Sequence, residues 1–209
     1  MDMHAQHGDS ERAGKRAIVI AASTGGLQAI HNLLGKLSGV RATVPIFIVL
    51  HMPDGFADVV ATQLQRKTQM PISPSHHGAM VEPGHIYLAA GNAHLKIANP
   101  GHRVMTLHDD SAPVNHCRPS ADVLFESASD TYGPGLVAIV LSGMGVDGLR
   151  GCQAVAAAGG QILVQDQESS AVWGMPGAVV RSGIACQISP PEEIAQRLKP
   201  MFRRGEFIR

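Results

Sequence analysis

Three short segments carry side chains that together could perform acyl transfer. Ser23 follows the apolar run AIVIAA (17–22), His51 follows PIFIVL (45–50), and Asp147 lies just beyond LVAIVL (136–141). A hydroxyl, an imidazole and a carboxylate are the nucleophile, the base and the group that fixes the tautomer of the base in serine hydrolases. The order Ser, His, Asp differs from that of the chymotrypsin, subtilisin and α/β-hydrolase types. Order is no objection, because a triad is defined by geometry. Taken singly, each residue has a plainer reading: Ser23 as a helix cap, His51 as one of 11 histidines, Asp147-Gly148 as a turn dipeptide. The chemical reading depends on all three arising at one edge of a single sheet.

That edge must be built by the apolar runs. AIVIAA, PIFIVL, LVAIVL and QILVQD (161–166) are continuously apolar or β-branched, as expected of strands covered on both faces by helices. Helical patterns lie between them. Leu27, Ile30, Leu33, Leu34 and Leu37 fall on one face, as do Phe56, Val59, Val60 and Leu64. GLRGCQAVAAAGG is a helix stopped by a glycine pair, RPSADVLFESAS a helix with Ser120 as its N-cap, and PPEEIAQRLKPMFRR a helix with acidic start and basic end. Such alternation predicts an α/β fold: a doubly wound, mainly parallel sheet flanked by helices. The stretch GHIYLAAGNAHLKIANPGHRVMTLHDD breaks the alternation with three short strand-like pieces, which predicts an antiparallel β-meander near the site. In open α/β sheets ligands bind beyond the carboxyl ends of the strands, where Ser23, His51 and Asp147 are expected.

A phosphate loop is the rival reading of the Ser23 segment. A dinucleotide fingerprint needs G-x-G-x-x-G, but Ala21 and Ser23 stand at its first two glycine positions. A P-loop needs Gly-Lys-Ser/Thr, and no lysine follows Gly26 until Lys36. The scattered histidines show no metal-ligand spacing, so neither a metal nor a cofactor is expected. Cys117, beside His116, is a rival nucleophile, but it precedes the Ser120 helix rather than following a parallel strand, and ranks below Ser23.

Length and composition narrow the class. The 209 residues, 44% of them apolar, suffice for one buried core. Seventeen basic residues balance seventeen acidic ones, which argues against nucleic acid as a partner. No stretch is long enough to span a bilayer, and residues 1–16 are polar without an apolar signal region, so the expectation is a flexible tail on a cytoplasmic protein with no membrane insertion. Three cysteines cannot all pair and are expected as reduced thiols.

With the segments in hand, the chain resembles the catalytic domain of the chemotaxis protein-glutamate methylesterase family (CheB). IAASTGG, IVLHMPDGF, PVNHCRPSADVLF, LSGMGVDG and WGMPGAV stand in the family's order and cover nearly everything from Arg16 to Phe202. The resemblance implies a hydrolase acting on glutamyl methyl esters of methyl-accepting chemotaxis receptors, and on particular receptor glutamines as a deamidase. It assigns Ser23 as nucleophile, His51 as base and Asp147 as orienting carboxylate. The helix start after Gly25 and Gly26 offers free amides and glycines that permit close backbone approach, so the amide of Thr24 is a candidate oxyanion donor. Met144 is a second candidate, on the resemblance. Arg118 is expected either to bind an anionic part of the receptor or to form an internal salt bridge. Full-length members carry a receiver domain ahead of this region. The expectation is therefore a catalytic domain over 17–209 with no receiver domain in this chain, and a separate response regulator as a further partner. The nucleophile segment reads Ala-Ala-Ser where many relatives have Gly-Ala-Ser, a change between two small residues.

Overall fold

The computed structural model describes residues 16–204; most of the expected N-terminal tail lies outside the described residues. The first apolar run forms β1 (Ala17–Ala22), buried at every position. Its side chains alternate between two cores: Ile18, Ile20 and Ala22 enter one, Ala17, Val19 and Ala21 the other. A strand covered on both faces has no side to show to water, which is why its sequence is continuously apolar.

Along the chain follow α1 (Gly26–Gly35), β2 (Val40–Ala42), β3 (Ile46–Leu50), α2 (Ala57–Thr68), β4 (Ile72–Pro74), β5 (Ile86–Leu88), β6 (His94–Ala98), β7 (Met105–Asp109), α3 (Ala121–Tyr132), β8 (Leu136–Val140), α4 (Leu149–Ala157), β9 (Gln161–Gln165), α5 (Met175–Arg181), β10 (Gln187–Ser189), α6 (Pro191–Leu198) and β11 (Phe202–Arg204). Ile30, Leu33 and Leu34 of α1, Val60 and Leu64 of α2, and Ile194 and Leu198 of α6 close the first core. Leu124, Phe125 and Ala128 of α3, Cys152 and Val155 of α4, and Met175 and Val179 of α5 close the second. The domain is thus doubly wound, as the alternation predicts.

Seven strands form the main sheet in the order β10-β9-β8-β1-β3-β5-β4, all paired in parallel. From β1 the chain winds outward one way through β3 and the other way through β8, so strand order reverses between β1 and β8. Loops diverge at such a switch point and leave a crevice, where ligands of open α/β sheets bind. Ala22 lies opposite Leu50 and Ala21 opposite Val140, so β1, β3 and β8 end almost level and their loops emerge together.

Two expectations shift. Of the anticipated three-piece meander, only β6 and β7 pair antiparallel, while the first piece, β5, joins the main sheet in parallel beside β3. Strand-length apolar runs look alike whichever partner they find, so local pattern could not assign it. On α2 the buried stripe is Ala57, Val60, Ala61, Leu64 and Thr68, leaving Phe56 and Val59 52% and 62% exposed. The helix starts after Phe56, and the spacing from Ala57 sets the face. Among the described residues no helix is long and apolar enough to cross a membrane. Cys117, Cys152 and Cys186 are all free thiols.

Candidate active site

Main-chain pairing continues past the strands and brings the candidate loops side by side. Leu141 N donates to Ala21 O at 2.9 Å, Ser23 N to Ser142 O at 3.0 Å, and His51 N to Ala22 O at 3.0 Å. Ser23 therefore sits between the β3 and β8 loops at the switch point. It does not cap α1: the N-cap is Gly25, at φ +76°, and no side-chain cap hydrogen bond is made. Ser23 is left half-buried at the mouth of the crevice. Gly143 makes the close approach from β8, since a Cβ there would stand 2.8 Å from Ser23 Cβ and 2.4 Å from Met175 Sδ.

Asp147 and His51 meet directly. His51 Nε2 lies 2.8 Å from Asp147 Oδ2, and the carboxylate is 1% exposed. Asp147 also accepts from Ser120 Oγ at 2.6 Å, Ala121 N at 2.7 Å and Asp122 N at 3.3 Å. Burial pushes its carboxyl up, but the hydrogen bonds from His51, Ser120 and the Ala121 amide outweigh burial and hold it below the ordinary carboxylate value. An ionised Asp147 can only accept, so Nε2 must carry the imidazole proton. Nδ1 is then the nitrogen with a free lone pair.

Ser120 departs from its expected role. It occupies the N-cap position of α3 but makes no side-chain cap hydrogen bond, giving its hydroxyl to Asp147 instead. Asp147 caps α3 from across the site, where a full negative charge gains more from the helix dipole than a hydroxyl does. Local sequence marks Ser120 only as a cap of its own helix, and nothing in it singles out His94 or Asp122. His94 Nδ1 accepts from Ser120 N at 3.1 Å. Asp122 accepts from Asn115 Nδ2 and Gly151 N, each at 2.8 Å, and burial raises its carboxyl above the ordinary value.

Cys117 reaches the site on a tight hairpin. Val114 and Cys117 exchange main-chain hydrogen bonds of 3.0 and 2.8 Å, and the two residues between them, Asn115 and His116, both have positive φ. This is the turn geometry that matches strand twist in two-residue hairpins. The hairpin places Cys117 Sγ 3.7 Å from His51 Nδ1. Burial, with Asp147 and Asp122 nearby, pushes the thiol up to about 11. A thiol so protonated is a poor nucleophile at neutral pH, in keeping with its lower rank.

The remaining candidates lie around this core. Among the described residues the imidazole bonds to Asp147 and Cys117, and not to Ser23. The amides of Thr24 and Met144 donate to no acceptor among the described residues, and both residues are exposed. Gly25 holds the turn behind Thr24, and Gly26 is pressed on Ala22, whose Cβ would be 2.5 Å from an added Cβ. Arg118 is exposed and donates to the carbonyls of Asp110 and Ser111 at 3.2 and 3.4 Å, forming no ion pair among the described residues. Of the two expected roles, the internal salt bridge is not formed among the described residues, and these main-chain contacts stand in its place. Ser142 ties three loops: its hydroxyl donates to Thr24 O at 2.8 Å and accepts from Val172 N at 3.0 Å. The only sequence signal for it was its place in LSGMGVDG. A groove of about 740 Å³ between α1 and α2, lined by Gln28, His31, Asp58, Val59, Arg66 and Lys67 among others, contains none of Ser23, His51 or Asp147. The sheet edge, where the titratable groups converge, is the better candidate.

The sequence model of the CheB methylesterase family matches residues 18–198. The chain belongs to the CheB methylesterase family. It is 42% identical over 187 residues to a protein-glutamate methylesterase/protein-glutamine glutaminase of Nitrobacter hamburgensis, covering 90% of this chain and 49% of the relative. A protein of the same name from Trichodesmium erythraeum is 40% identical over 181 residues, covering 87% and 51%. The chain spans about half the length of the curated relatives it matches. Among solved structures, the Thermotoga maritima CheB methylesterase catalytic domain superposes with a TM-score of 0.87 at 31% identity, over 90% of this chain and 99% of that one. The CheB fold is therefore present across nearly the whole described region, with the Ser23, His51 and Asp147 loops at its switch point.

Proposed function

We propose that residues 17–209 form a cytoplasmic catalytic domain that hydrolyses glutamyl methyl esters on methyl-accepting chemotaxis receptors and deamidates receptor glutamines. The reading rests above all on the 2.8 Å contact of a buried Asp147 with His51, made at the strand edge where Ser23 emerges. The names carried by the CheB relatives support both activities. A response regulator is the class of partner proposed to control the domain.

In this mechanism His51 Nδ1 takes the Ser23 hydroxyl proton as Oγ attacks the ester carbonyl. Nucleophile and base often come into hydrogen-bond reach only when substrate is bound. The ionised Asp147 holds Nε2–H and stabilises the imidazolium without itself accepting a proton. The amides of Thr24 and Met144 receive the oxyanion. The proton on Nδ1 passes to the departing methoxide, releasing methanol. Water then attacks the glutamyl-serine ester by the same route, restoring Ser23 and leaving the glutamate. With a glutamine side chain the leaving group is ammonia. The deciding experiment is methanol release from methylated receptor by wild type and Ser23→Ala. A loss of about 10⁴-fold or more, in a protein that remains folded, is the expected result. Retention of most activity would overturn the assignment.

A further inference from the structure

We propose that Cys117 and His51 form a binding site for a thiophilic divalent cation, zinc in the first place, whose occupation blocks the base. The inference rests on the reading of His51 as base, and adds to it a means of shutting the site off.

His51, Cys117 and Asp147 each offer one ligand atom, and these atoms lie within 4.8 Å of one another. The geometry of the pair at its centre is specific. Zinc binds thiolate sulfur at about 2.3 Å and imidazole nitrogen at about 2.0–2.1 Å in a tetrahedral shell, which sets the two donor atoms roughly 3.5 Å apart. Cys117 Sγ and His51 Nδ1 stand 3.7 Å apart, so an ion fits between them with little adjustment.

The imidazole is already prepared as a ligand. Asp147 holds the proton on Nε2, which leaves the Nδ1 lone pair free on the side of the ring that contacts the sulfur. A carboxylate behind a histidine in this way fixes ring and tautomer and raises ligand basicity in metal sites. Main-chain bonds of the Val114–Cys117 hairpin hold the sulfur in place. Thiolate with imidazole selects zinc or a like ion over magnesium or calcium, which prefer oxygen.

On binding, the Cys117 S–H bond breaks, its proton passes to buffer and a sulfur–metal bond forms, with no change of oxidation state. The Nδ1 lone pair goes to the ion, and water completes the shell. Nδ1 then has no lone pair for the Ser23 proton, so hydrolysis stops until the ion leaves.

The test is titration of the metal-free protein with Co²⁺, followed by the near-ultraviolet thiolate-to-cobalt absorption, and with Zn²⁺ by calorimetry. One equivalent bound with thiolate absorption is expected, weakened roughly 10–100-fold or more in Cys117→Ser. Cys117→Ala, checked by circular dichroism, serves if the serine variant does not fold. Inhibition is read as the ratio of methanol release with and without Zn²⁺ within each protein, and the ratio should be far closer to one in the variants. No thiolate absorption, or equal zinc affinity in wild type and both variants, overturns the proposal. A metal-free enzyme that releases no methanol would refute the functional reading, while the cobalt spectrum alone decides the metal site.

Discussion

Asp147 and Asp122 cap each other's helices. Asp147, just ahead of α4, accepts from the Ala121 and Asp122 amides at the start of α3, at 2.7 and 3.3 Å. Asp122, in the first turn of α3, accepts from Gly151 N in the first turn of α4 at 2.8 Å. The first amides of a helix lack intrahelical partners and carry the positive end of its dipole, so each carboxylate satisfies donors the other's helix leaves open. The exchange fixes the distance between the helices and aims Asp147 at His51.

Closeness of the two helices depends on Gly151. A Cβ there would lie 2.6 Å from Phe125 Cβ and 3.1 Å from Asp122 Cα, and all of these atoms belong to rigid elements. Gly151→Ala should destabilise the domain by about 1–3 kcal/mol, as overpacking does, and lower kcat by displacing Asp147. Urea denaturation and methanol-release kinetics check this; unchanged stability would show that α3 and α4 part without cost.

Ser120→Ala removes the 2.6 Å hydrogen bond to Asp147. A buried hydrogen bond to a charged group contributes about 1.5–3 kcal/mol, and a loss in that range is expected in stability. Activity should fall through kcat with KM nearly unchanged, and Ser120→Thr should restore most of it. A KM effect alone would place Ser120 in substrate binding instead.

His51→Gln and Asp147→Asn should each reduce kcat steeply, with the double variant scarcely worse than the more damaged single one, because the groups act as a unit. Asp147→Asn should cost on the order of 10⁴-fold through the wrong imidazole tautomer. Additive losses, measured in steady state, would mean that the two residues act separately.

Acid sensitivity follows from the same pair of carboxylates with opposite signs. Asp147 titrates below its ordinary 3.8 in the folded protein, so its stabilisation is complete above 3.8 and is lost as pH falls through the lower folded value. Asp122 titrates above 3.8, so its contribution is complete below 3.8 and is lost as pH rises through the raised value. The stability of wild type relative to Asp147→Asn should therefore fall as pH drops below 3.8, whereas wild type should gain on Asp122→Asn as pH falls through the raised value towards 3.8, with no further change below it. Denaturant titrations across the acid range would read both trends, and parallel curves would refute them.

Arg118→Ala should change KM little and lower Tm slightly. The exposed guanidinium holds only the Asp110 and Ser111 carbonyls. A loss of about 0.5–1 kcal/mol corresponds to a few degrees at most in a domain of this size. A large rise in KM at unchanged Tm would instead make Arg118 a receptor contact.

Local pattern sufficed for most of the framework. The four apolar runs became β1, β3, β8 and β9 almost to the residue. They were legible because burial on both faces imposes a continuous apolar code. The edge strands β4 and β10, of three residues each, were not, since so short a run carries no period. Ser23, His51 and Asp147 were identifiable as candidates for a related reason: the sheet rule says where ligands bind, and each residue stands just past a recognisable strand.

By itself, then, the sequence determined which strands lie at the centre and which side chains emerge at their carboxyl ends, because both are set by neighbours along the chain. What surrounds those side chains was decided only by the tertiary structure. His51 and Asp147 are 96 residues apart, and His51 and Cys117 are 66 apart. No local spacing records that Nε2 faces Asp147, that Nδ1 faces a thiol, or that Ser120 serves Asp147 rather than its own helix. Those are properties of distance and direction between elements, fixed by the packing of α3 on α4 and by the convergence of loops where the strand order reverses.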